Sequence, residues 1–122
     1  MLVDKTDLEH VKALLADGFD NFIVELMNTA DELYDELEKL LEHGADEAHI
    51  HAVHIKAHGL KSVGRQCGLV RLGQLAREME STAIENKKDP GSYSEAEWRR
   101  LRGEYITTLA ETRTELDKYT SG

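Results

Sequence analysis

From Asp20 to Glu42 the apolar positions are Phe22, Ile23, Leu26, Met27, Ala30, Leu33, Tyr34, Leu37, Leu40 and Leu41. Three-and-four spacing sustained over six turns predicts an amphipathic helix with a wide apolar face. At ~1.5 Å per residue this helix is about 35 Å long, the length of a bundle helix. His43-Gly44 ends it. Asp46 and Glu47 open a second long helix running to Gln66, since the positive end of the helix dipole favours carboxylates. The seam of this helix is Ile50, Val53, Ala57, Leu60, Gly64 and Cys67, and Gly68 breaks it. A third follows, with Leu69, Leu72, Leu75, Ala76, Met79 and Ala83 on one face. It is expected to stop before Asn86 to Gly91, which reads as a turn around Pro90. Ser94 to Glu97 forms a capping box. The last helix then shows Trp98, Leu101, Tyr105, Leu109, Thr112, Leu116 and Tyr119. A short helix from Thr6 to Leu15 precedes all four.

Short connections favour antiparallel neighbours. The expected fold is therefore all-α: an up-down-up-down four-helix bundle with a short N-terminal helix capping one end of the core. The 122 residues, 40% hydrophobic and 32% charged, fit one domain over residues 1–122.

Charge narrows the function. A formal net charge of -9 opposes nonspecific binding to nucleic acid or anionic membranes, which needs a basic surface. No stretch approaches the ~20 apolar residues of a membrane span. Met1 to Asp7 lacks a signal-peptide pattern, and the lone Cys67, expected as a small buried hydrophobe, fits a reducing compartment. The expected location is the cytoplasm.

Histidine placement carries the candidate chemistry. His49, His51, His54 and His58 fall within ten residues of one helix. His51, His54 and His58, spaced three and four, share a face that continues through Lys61 and Arg65, beside the apolar seam. An acidic chain thus bears one local ridge that is basic or can become so. An imidazole nitrogen is a nucleophile able to take a phosphoryl group, and the ammonium of Lys61 could pair with phosphate oxygens. Ser62, one turn on, offers a hydroxyl. Ala57, Gly59 and Ser62 crowd His58 little. A histidine on a polar helix face is also commonly just a solvated residue, and the stripe alone does not decide between these readings.

The segment Ala57 to Gly68 resembles the motif of the histidine-containing phosphotransfer (HPt) family. That motif is a His, any residue, an apolar residue, Lys, small residues, and a Gly ten positions after the His. His58, Leu60, Lys61, Ser62, Gly64 and Gly68 fall in register. Arg71 to Glu80 resembles the family's next helix and Phe22 to Leu41 its first long one, so the resemblance spans roughly residues 7 to 119. It departs at Ser62, where the family usually has Gly, and at Val63, which is larger than usual.

The resemblance implies a phosphorelay intermediate. His58 would accept a phosphoryl group from a receiver-domain aspartate or a kinase and pass it to a response-regulator receiver. It implies no autonomous kinase activity and no cofactor of the chain's own, the Mg²⁺ being supplied by the partner receiver. It also implies that Glu80, by its spacing from His58, bonds the second ring nitrogen as the matching carboxylate or amide does in some relatives. An ordinary surface role for Glu80 stays open. Gly64 and Gly68 would serve close approach of the neighbouring helix, or Gly68 would simply cap its own. The implied partners are a response-regulator receiver domain, a hybrid histidine kinase, or both, docking on a rim of His54, Ile55, Lys61, Ser62 and Arg65. A monomer is expected, since nothing in the sequence requires a dimer. Two rivals remain. One is a metal-binding bundle using His54 and His58, with His51 nearby, although Asp46-x-x-His49 has no second copy on another helix. The other is a non-catalytic adaptor, or a degenerate HPt that only docks a receiver.

Overall fold

The computed structural model describes residues 1–44 and 46–120. It contains α1 (Lys5–Leu15), α2 (Phe19–His43), α3 (Glu47–Gln66), α4 (Val70–Lys88) and α5 (Glu95–Leu116), with 3-10 turns at Ala16–Gly18 and Pro90–Ser92. The long helices pack in a ring, α2 on α3, α3 on α4, α4 on α5 and α5 back on α2. This is the up-down-up-down bundle expected from the periodicity.

The apolar faces meet as their spacing predicts. Leu33, Leu37 and Leu40 from α2, Val53, Ala57 and Leu60 from α3, Leu72, Leu75 and Met79 from α4, and Trp98, Leu101 and Tyr105 from α5 are all fully buried. The buried polar atoms of the two large aromatics find partners, as such groups must. The Tyr105 hydroxyl donates to the Ala30 carbonyl at 2.6 Å, tying α5 to α2. The Trp98 indole N–H donates to Asn86 Oδ1 at 2.8 Å, tying α5 to α4. Cys67 is buried, its thiol donating to Val63 O, and burial pushes that thiol up to about 11.

The α3–α4 connection is built on glycines. A Cβ on Gly64 would lie 3.2 Å from Gly73 Cα, so these two glycines let the helix backbones approach closely. Gly68 has φ +80°, and the Leu69 N–H closes back onto Gly64 O at 2.9 Å, a Schellman-type end. Gly68 also receives the N-terminal segment. Its carbonyl accepts from the Asp4 N–H at 2.7 Å, and a Cβ there would fall 2.7 Å from Asp4 O. Gly68 is thus the helix terminator, and what it admits closely is Asp4 and the first turn of α1. Val3 and Leu8 are buried here, so α1 covers this end of the core.

Several boundaries differ from the sequence expectation, α1 beginning at Lys5 instead of Thr6. Asp46 caps α3 instead of opening it, its carboxylate accepting from Ala48 N–H at 2.8 Å. The last helix stops at Leu116, leaving Tyr119 in a turn. Helix α4 continues through Asn86 and Lys87 to Lys88. The Asn86 side chain, instead of breaking the helix, is buried between Trp98 and Ser92, donating to Ser92 Oγ at 3.0 Å. The turn begins only at Asp89.

Candidate functional site

The histidine stripe of α3 lies along the groove with α4. His51, His58 and Arg65 are exposed, and His54 and Lys61 are half-buried at its edge. Helix α4 places Met79 and Ala83 in the core, which turns Glu80 to the border facing α3. There His58 Nδ1 meets Glu80 Oε2, and Lys61 Nζ donates to Glu80 Oε1 at 2.6 Å. The spacing of three between His58 and Lys61 lets both side chains reach one carboxylate. The His58 side chain is 61% exposed while that of Glu80 is only 10% exposed. The ring is therefore anchored on its inner nitrogen and open to solvent elsewhere.

Two opposed effects act on Glu80. Burial pushes its carboxyl upward, but the hydrogen bonds and positive charges of Lys61 and His58 outweigh it, and the net direction is down. Glu80 is thus held ionised. An ionised carboxylate only accepts hydrogen bonds, so the His58 nitrogen facing it carries the proton. In the neutral ring, Nε2 then holds the lone pair.

The remaining expected residues surround this triad without joining it. Ser62 is half-buried one turn after His58, and its hydroxyl makes no hydrogen bond among the described residues. Ile55 stands 54% exposed one turn before His58. Arg65 lines a hollow of about 300 Å³ between α3 and α4, which Asp7, Lys61, Gly64, Gly73 and Arg77 also line. Arg77 was not anticipated, although it lies three residues before Glu80 on the same helix.

Lys87 was also missed, because its segment reads as a turn. It sits seven residues, two helical turns, beyond Glu80 on the same face of α4. Its ammonium lies 2.7 Å from His51 Nδ1 and 2.6 Å from His54 Nδ1. Burial lowers the His54 imidazole below its usual value, and the Lys87 charge lowers it further. Two of the three histidines considered for a metal therefore turn a nitrogen to an ammonium and the third to Glu80. Among the described residues, no group of three or more His, Cys, Asp or Glu is placed to hold a metal ion.

The family model for the Hpt domain matches residues 21–118. The chain belongs to the Hpt family. The match covers all four long helices except the first two residues of α2. No curated protein and no solved structure matches the chain. Hpt domains are phosphotransfer intermediates of two-component phosphorelays rather than kinases, and they interact with receiver domains and kinases. Membership gives this Hpt chain a histidine phosphotransfer role. No helix among the described residues is long and apolar enough to cross a membrane.

Proposed function

We infer that His58 is the phospho-acceptor of this Hpt domain and that it exchanges a phosphoryl group with the aspartate of a receiver domain. The observation that carries this reading is the His58 Nδ1–Glu80 contact on a ring that is otherwise open. Nε2 attacks phosphorus, the N–P bond forms, the acyl P–O bond breaks, and the aspartate carboxylate leaves with the electron pair. The Nδ1 proton stays on the ring, where Glu80 offsets the positive charge that develops. Lys61 holds Glu80 on its other oxygen and brings a cation to within one turn of the phosphoryl group.

The partner receiver supplies the aspartyl phosphate, a lysine and the Mg²⁺ that neutralises phosphoryl charge, and this chain supplies the nucleophile and the docking surface. Transfer then depends mainly on positioning and charge stabilisation. His54, Ile55, Ser62 and Arg65 surround the nucleophile, and Ile55 gives the receiver an apolar contact. Flow in either direction uses the same geometry, because the reverse step only exchanges nucleophile and leaving group.

The test is transfer of radiolabelled phosphate from a panel of phosphorylated receivers to the wild type and to His58→Gln. Acid-labile, base-stable label on the wild type alone is the expected result. No label from any receiver overturns the relay reading in favour of a bundle that only docks. Label that persists in the variant moves the acceptor to another histidine.

A further inference from the structure

Three histidines share the outward face of α3, and chemical type alone does not distinguish them. What distinguishes them is the group that α4 sets against each Nδ1. His58 Nδ1 faces a carboxylate, Glu80. His51 and His54 Nδ1 both face the Lys87 ammonium, at 2.7 and 2.6 Å. An ammonium has three N–H donors and no acceptor. Each Nδ1 it contacts must therefore offer a lone pair, and the neutral ring must carry its proton on Nε2. A protonated Nε2 has no in-plane lone pair with which to attack phosphorus. His58 is in the opposite state, with its proton on Nδ1 and its lone pair on Nε2.

We propose that Lys87 is a specificity-determining residue for phosphoryl transfer: by donating to His51 and His54 it occupies both Nδ1 lone pairs and leaves both outer Nε2 atoms protonated, and so confines phosphorylation along this stripe to His58. This rests on the reading that His58 is the acceptor. Lys87 and Glu80 are two turns apart on one face of α4, so one helix assigns opposite tautomers to neighbouring rings of the other. The charged and titratable groups acting on His54 are Lys87, Glu80, His51 and His58. Burial and Lys87 both oppose a second proton on that ring, which favours its neutral form. The Nε2–H groups of His51 and His54 are left as hydrogen-bond donors two turns and one turn, respectively, before the nucleophile.

The test has two arms, both on the full chain. Two-dimensional ¹H–¹⁵N spectra of the imidazoles at neutral pH read the tautomers directly. His51 and His54 are expected as Nε2–H and His58 as Nδ1–H. In Lys87→Glu the introduced carboxylate accepts instead of donating, and the His54 proton should shift to Nδ1. The second arm uses phosphoramidate, a phosphodonor small enough to need no docking, on His58→Gln with and without Lys87→Glu. With Lys87 present, His54 should take no label. With Lys87→Glu, an Nε2–P bond should form at His54 while the donor's P–N bond breaks and ammonia leaves with the electron pair.

An Nδ1–H signature at His54 in the wild type overturns the proposal, and this result does not depend on any variant folding. So does equal labelling of His54 in the two His58→Gln chains, or an unchanged His54 tautomer in Lys87→Glu. If receivers fail to label wild-type His58, the relay reading fails, and the spectra still report separately on Lys87.

Discussion

A carboxylate as buried as Glu80 would tend to shed its charge if it stood alone, because desolvation disfavours the ionised form. Lys61 and His58 reverse that tendency from two directions. Glu80→Gln keeps the shape and an acceptor oxygen but removes the charge that stabilises the imidazolium and fixes the tautomer. Single-turnover transfer to His58 should then slow by about tenfold or more, in line with other carboxylates that orient a working histidine. The same charge makes stability depend on pH. The folded-state value for Glu80 lies below the usual 4.5, so its stabilising contribution is fully present above 4.5 and is lost as the pH falls through the folded value. Chemical denaturation of wild type and Glu80→Gln across that acid range should show the wild type losing the stability component that the variant never has. The sequence pointed to Glu80 only through the family resemblance, at the position matched by its spacing from His58, and a matched position does not show which atoms are desolvated.

The helices themselves were almost wholly legible, because each carries a continuous three-and-four pattern. The errors fell where one side-chain interaction outweighs local propensity. Asn86 read as a turn residue, yet its carboxamide is held between the Trp98 indole and Ser92, and that tertiary anchor extends α4 by three residues. Lys87 went unnoticed for that reason. Glycines were the other ambiguity, since the residue type states a freedom without stating its use. Gly59 and Gly68 make the contrast measurable. Gly59 lies inside α3 with nothing within 4 Å of an added Cβ, so Gly59→Ala should raise stability by about 1 kcal/mol through helix propensity. Gly68 has φ +80° and the Asp4 carbonyl and Asp7 side chain against it. Gly68→Ala should cost about 1–3 kcal/mol for the left-handed backbone and loosen the N-terminal segment. Thermal unfolding of the two variants should move in opposite directions, and equal shifts would contradict this assignment of the two glycines.

A chain of net charge -9 repels an acidic partner over most of its surface, so productive encounter depends on where its cations are left free. Arg71, Arg99, Arg100, Arg102 and Arg113 are each tied to a carboxylate. Arg65 and Arg77 have no ion-pair partner among the described residues, and both line the hollow beside Lys61. The guanidiniums without carboxylate partners are thus gathered in the hollow beside Lys61, which Asp7 also lines, on opposite helices of the α3–α4 pair. A cationic patch on an anionic body orients an incoming acidic surface before contact, and such steering acts on association rate and weakens with salt. Replacing both residues in Arg65→Ala/Arg77→Ala should therefore lower the rate of association with a receiver by about tenfold at low ionic strength. The deficit should shrink as salt screens the field, while transfer within the formed complex changes less. Stopped-flow association measured over a range of salt concentrations separates these effects. A deficit that does not vary with salt would assign the two arginines to short-range contacts in the docked complex instead of to steering.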